Sequence, residues 1–172
     1  MNDPMTLYKL MCLYMMHQVN FPLTNTQITD FFLTHEYTNY FNLQQALSEL
    51  TESKLVSMET IHNTSRYIIT PNGEQTLEFF IKKIPDAAVS DIDNYIKNNR
   101  FKMRNEVATT ADYYKSGNQE FNVHCEVREG KNILIGIDVT VPDEKQADHM
   151  CHKWKEKSTD IYSFITKSLM SE

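Results

Sequence analysis

Hydrophobic positions in the first third of the chain fall into helical steps separated by capping residues. Leu7, Leu10, Met11, Tyr14 and Met15 recur at intervals of three and four, one apolar stripe that predicts a helix over 5–18. Pro22 breaks it. Thr24-Asn25-Thr26-Gln27 has the spacing of a capping box, in which Thr24 and Gln27 exchange side-chain bonds with each other's backbone N–H groups. A second helix follows to about Thr34, with Ile28, Phe31 and Phe32 inward. His35-Glu36-Tyr37 forms a turn, and Thr38-Asn39 offers another cap. A third helix to about Ser53 places Leu43, Ala46, Leu47 and Leu50 on its inner face. Its outer face is Gln45, Ser48, Glu49 and Glu52, flanked by Gln44, with Asn39, Tyr40 and Asn42 at the N-terminal tip. Phe41 falls on the outer side: either the helix starts after it, or the ring points outward.

The period then changes. Val56–Ile61 and Arg66–Thr70 read as strands around the polar turn His62-Asn63-Thr64-Ser65. Thr70 can cap the next helix, Pro71 fits its first position, and Gly73 clears a side chain from its first turn. That helix runs to about Lys83 with Leu77, Phe80, Ile81 and Ile84 inward. Helix–helix–helix–strand–strand–helix is the order of a winged helix-turn-helix. Pro85 marks a boundary. Beyond it, Ala88, Ile92, Tyr95 and Ile96 predict a helix over 86–104, and strands come next at about 106–114, 120–128 and 133–141. Phe121, Val123, Cys125 and Val127 alternate with Asn122, His124, Glu126 and Arg128, and Ile133, Ile135, Ile137, Val139 and Val141 share one face. Such alternation means an antiparallel sheet with one covered face. The cover is a final helix over 143–169 carrying Ala147, Cys151, Trp154, Ile161 and Ile165. The expectation is therefore an α+β protein with a winged helix-turn-helix DNA-binding domain over 1–84. An α+β dimerisation or sensing domain occupies 85–172.

Particular residues carry a resemblance. Met5-Thr6-Leu7-Tyr8-Lys9-Leu10, Pro22 to Ile28, Tyr37-Thr38-Asn39-Tyr40-Phe41 and Leu43-Gln44-Gln45-Ala46-Leu47 resemble the bacterial family called domain of unknown function 4364. The similarity continues around Ala111-Asp112-Tyr113-Tyr114 and from Gln146 to Trp154. More distantly, the hinge Tyr67–Leu77 is similar to that of PadR- and MarR-type regulators. The resemblance implies a winged-helix DNA-binding protein of the bacterial cytoplasm.

Composition narrows the class. With 41% hydrophobic and 23% charged residues, the chain is an ordinary globular protein. It has no apolar run long enough for a membrane span and no signal-peptide pattern. Cys12, Cys125 and Cys151 are odd in number and widely spaced, which fits a reducing cytoplasm better than a disulfide framework. Nucleophile elbow, phosphate loop and metal signatures are missing from the sequence, so neither an enzyme nor a cofactor is expected.

Charge is the difficulty for nucleic acid. The net charge is −6. Residues 1–84 hold Lys9, Lys54, Arg66, Lys82 and Lys83 against eight acids, whereas DNA affinity rests largely on neutralised phosphates. The expected partners are double-stranded DNA and a second copy of the chain, which doubles a sparse basic patch. A small-molecule effector is a further candidate. The rival is an acidic winged helix serving as a protein-interaction module. Asn39, Gln44 and Gln45 are amides that can pair with adenine edges, with Tyr40 and Asn42 beside them. Arg66 after the wing turn and Lys54 at the end of the third helix can meet phosphates. The bland alternatives are a solvated helix face, a charge on an edge strand and a helix-dipole partner. Lys97, Arg100, Lys102 and Arg104 form the densest basic run, a second phosphate contact or a solvated helix end. His149 and His152 share a helical face beside Cys151, but Cys151 belongs to the apolar stripe and argues against zinc.

Overall fold

A computed structural model describes residues 3–61, 64–129 and 132–171. The chain forms two compact units, Met1–Arg104 and Asn105–Glu172. The elements run α1 Pro4–His17, β1 Leu23–Thr24, α2 Asn25–Thr34, α3 Tyr40–Glu52, β2 Val56–Ile61, β3 Thr64–Ile69 and α4 Pro71–Phe80. A 3₁₀ turn at Ile81–Lys83 leads to α5 Asp86–Ala108, β4 Thr109–Lys115, β5 Phe121–Glu129, β6 Asn132–Val141 and α6 Glu144–Met170. This is the expected α+β order, with a small winged-helix sheet first and a three-stranded antiparallel sheet second.

The helix starts are set by their caps. Asp3 accepts from the Met5 N–H at 3.4 Å. The Thr24 hydroxyl accepts from the Gln27 N–H at 3.1 Å while Gln27 Oε1 accepts from the Thr24 N–H at 2.9 Å, the full capping box. Helices α2 and α3 also end alike. In α2 the Tyr37 N–H reaches the Phe32 carbonyl and the Glu36 N–H the Leu33 carbonyl. In α3, Leu55 and Lys54 do the same to Leu50 and Thr51. These are Schellman closures. The left-handed residue in each is not glycine, Glu36 having φ 57° and Lys54 φ 63°.

The α1 stripe understates its environment. Leu10 through Met16 are all buried, because α3, α4, β3 and the 3₁₀ turn surround the helix. The first core also takes in Ile84, Ala88, Ile92, Ile96 and Met103, so much of α5 packs with the winged helix although it lies beyond Pro85. Tyrosine–aspartate bonds fix it there. The Tyr14 hydroxyl donates to Asp93 at 2.7 Å, Tyr37 to Asp91 at 2.6 Å, and Tyr95 to Asp30 at 2.7 Å. Burial, reinforced by these carboxylates, pushes the phenols of Tyr14 and Tyr37 up to about 12. Met103 and Val107, four residues apart and both buried, carry α5 one turn past the expected end. Glu106–Ala108 are therefore helical rather than strand.

The first sheet has the order β1-β3-β2. The two-residue β1 is too short for the sequence pattern to predict; its Leu23 lies opposite Tyr67 and Thr24 opposite Arg66. The β2–β3 ladder continues to Ile61 opposite Thr64, so Thr64 and Ser65, expected in the turn, are strand. His62 and Asn63 lie outside the described residues.

The second unit is a β4-β5-β6 meander. Its covered face holds Ala111, Val123, Cys125 and Val141 against Ala147, Cys151 and Trp154 of α6. The Trp154 indole donates to the Glu126 carbonyl at 3.1 Å, tying helix to sheet. A β-bulge alters one expectation here. Val127 faces Ile135 but Arg128 faces Ile133, with Leu134 skipped. Ile133 thereby leaves the face of Ile135 and Ile137 and joins the outer one. Gly130 and Lys131, between β5 and β6 in the sequence, lie outside the described residues. No helix among the described residues is long and apolar enough to cross a membrane.

Candidate nucleic-acid interface

Helices α2 and α3 with the β2–β3 hairpin form the helix-turn-helix and its wing. The wing's base is held by one hinge. The Thr70 hydroxyl donates to the Lys54 and Leu55 carbonyls at 2.8 and 2.9 Å and accepts from the Gly73 N–H at 3.1 Å. The Thr70 N–H bonds Leu55 as well. Only a glycine fits at 73, since a Cβ there would lie 2.1 Å from the Leu55 carbonyl oxygen.

The seven candidate residues divide. Asn39 is exposed at the tip of α3, but its Oδ1 caps the helix by accepting from the Asn42 N–H at 2.9 Å. Gln44 is half-buried and committed: its Oε1 accepts from Asn25 at 2.7 Å, and its amide donates to Asn25 at 3.0 Å and Thr29 at 3.4 Å. Asn25 also donates to the Tyr67 hydroxyl at 3.3 Å. This network holds α2, α3 and β3 together, so adenine pairing by Gln44 would have to displace it. Tyr40, Asn42 and Gln45 are exposed.

Arg66 departs furthest from expectation. It lies on β3, the central strand rather than an edge, and is only 8% exposed. Glu59 stands opposite it on β2 and Thr24 on β1. Burial pushes its guanidinium pKa down while Glu59 pulls it back. The Arg66 side chain is thus largely covered, with Glu59 opposite it, and is not the edge-strand surface charge of the alternative reading. Strand alternation gives the face of such a residue; the covering of that face is a tertiary fact. Lys54 is exposed in its left-handed position.

The helix begins at Tyr40, and Phe41 points outward with 80% of its surface exposed. Tyr40, half exposed, packs edge-on to it with ring centroids 5.9 Å apart. Phe41, Gln45, Ser48 and Glu52, at steps of four, three and four, form the open stripe of α3. Glu49, expected on that stripe, is half-buried and bridged by Lys9 of α1 at 3.3 Å. The sequence alone leaves Phe41 undecided, although its position on the helical wheel is itself the signal.

A protein-family model described as "Domain of unknown function (DUF4364)" matches residues 8–169. The chain belongs to this family. No match was found among curated proteins or among solved structures. The DUF4364 match spans both compact units, so the α5-braced winged helix and the sheet under α6 belong to one family architecture. Other chemistry-bearing residues of this DUF4364 chain lie apart. Cys151 turns into the second core while His149 and His152 are exposed, and His152 Nδ1 lies 2.9 Å from the Asp148 carbonyl. Among the described residues, no group of three or more His, Cys, Asp or Glu is arranged to hold a metal.

Proposed function

We propose that the first compact unit binds double-stranded DNA by laying α3 in the major groove, and that the chain is a transcriptional regulator. The observation that supports this best is the doubly capped α2–α3 pair, whose second helix leaves the Phe41, Asn42, Gln45 and Ser48 side open beside a hairpin wing. That is the docking element of helix-turn-helix proteins. Asn42 and Gln45 are its polar base readers. Lys54, and Lys97 and Lys102 on the exposed side of α5, are its phosphate contacts. The second unit dimerises the chain or holds a small-molecule effector. The exposed Phe164, Leu169 and Met170 near the end of α6 favour a second copy, and two copies double a sparse set of cations.

The test is retention of sheared genomic DNA on the purified full chain across a salt series. A discrete set of fragments should be enriched, with a shallow salt slope corresponding to about three to five phosphates per protomer. Failure to retain any fragment at low salt would sink this reading. It would leave the second one, an acidic protein-interaction module, which the exposed Phe41 above Glu52 and the net charge of −6 favour.

A further inference from the structure

The leading turn of α3 is aromatic, and of the amides Asn39, Gln44 and Gln45 expected to pair with bases, the first two are already engaged within the protein. Asn39 Oδ1 is committed to the helix cap. Both ends of the Gln44 amide are committed to α2. What the turn presents is Phe41, 80% exposed, braced edge-on by the Tyr40 ring. A lone exposed ring is ordinary on a protein surface, but this one is paired with Tyr40 on the turn that a helix-turn-helix protein points at the groove. In the major groove the apolar group that bases offer is the thymine C5-methyl.

We infer that Phe41 is a specificity-determining residue that contacts a thymine methyl group, with Tyr40 positioning its ring. This deepens the DNA-binding reading and rests on it. The preferred site should then carry a thymine where the N-terminus of α3 meets the groove. Phosphate contacts carry no sequence information, so the sparse cations make that apolar contact a larger share of the affinity than in a basic winged helix. Asn42 and Gln45, one and four residues further on, would read the adjoining bases.

Uracil differs from thymine by that methyl alone, which makes the test direct. The probe is a short duplex of the most enriched genomic fragment, prepared with thymine or with deoxyuridine throughout. Binding by the full chain and by Phe41→Ala is measured by anisotropy. Because Phe41 lies outside the core, the variant should melt as the parent does, and a circular-dichroism melt checks this. The parent should bind the uracil duplex roughly fourfold more weakly for each thymine methyl that Phe41 covers. Phe41→Ala should bind both duplexes alike, at the parent's uracil level. Equal binding of the two duplexes by the parent would overturn the assignment while leaving DNA recognition intact. So would an undiminished uracil effect in Phe41→Ala. If the parent retains no DNA at all, the inference and the reading beneath it both fall.

Discussion

The two units solve the same problem, burying apolar faces, to different degrees of completion. In the first, the C-terminal half of α1 is enclosed, and seven consecutive residues from Leu10 to Met16 are buried. In the second, a three-stranded sheet has α6 on one face. Its other face carries a row of polar side chains, Tyr114, Asn122, Asp138, His124, Glu126 and Arg128, linked by hydrogen bonds. Past Ser158 the helix continues to Met170, and Phe164, Leu169 and Met170 are largely exposed. A closed core draws its stability from packing. An open sheet depends in addition on polar bonds that pH can reach.

The sharpest way to break the comparison is to test where the first unit ends. Ile92 lies on α5, fully buried in the first core. Ile92→Ala should destabilise that unit by about 3–4 kcal/mol, the usual cost of a large core truncation. The chain has a single tryptophan, Trp154, in the second core, so its fluorescence tracks the second unit while circular dichroism tracks both. Urea titrations should show the dichroism transition moving to lower denaturant and the fluorescence transition staying. A shift only in fluorescence would return α5 to the second unit.

Gly73→Val sharpens the same contrast at the wing. The new Cβ would lie 2.1 Å from a backbone carbonyl and 2.7 Å from Ile69 Cγ1, and a backbone atom cannot swing aside. The expected cost is about 3 kcal/mol, the top of the usual overpacking range, again in dichroism and not in Trp154 fluorescence. Coincident shifts of both probes would mean the units unfold as one.

What the sequence reveals depends on how local each cause is. Caps at Thr24, Asn39 and Thr70 act within one turn, and each is legible. So is the close approach at Gly73, because only a glycine fits a crowded helix start. The burial of Arg66 is not legible, since strand alternation gives a residue's face but not what covers it. Gln44 looks like a base contact on a helical wheel, which cannot see Asn25 on the neighbouring helix. Strict alternation puts Ile133 on the wrong face because a bulge shifts the pattern by one residue. Pro85 is a sound place for a break in local pattern. The Ala88–Ile96 stripe, however, carries no label saying which core it enters.

The smallest expected effect concerns the open sheet. His124 Nε2 lies 2.8 Å from Glu126, and its Nδ1 lies 2.8 Å from Asp138. Asp112 is across the ladder on β4. The Glu126 bond first, then the Asp138 bond, raise the imidazole pKa above its usual 6.5. The folded sheet therefore holds a proton that the unfolded chain releases sooner. The stability this confers is complete below about pH 6.5 and drains away as pH rises through the folded value. Glu126, held low chiefly by Arg128, and Asp138, held low chiefly by His124, act in the opposite sense. Their contribution is present above the ordinary carboxylate range and is lost as pH falls through their depressed values. The second unit should thus be most stable in the mildly acidic window between these limits. The imidazole is partly solvated, so the effect is modest. Trp154-monitored melts of the parent and of His124→Gln should differ most near pH 6 and converge toward about pH 9. A constant difference across that range would mean that His124 packs against the sheet without titrating in its service, and that the open face is as indifferent to protons as a closed core.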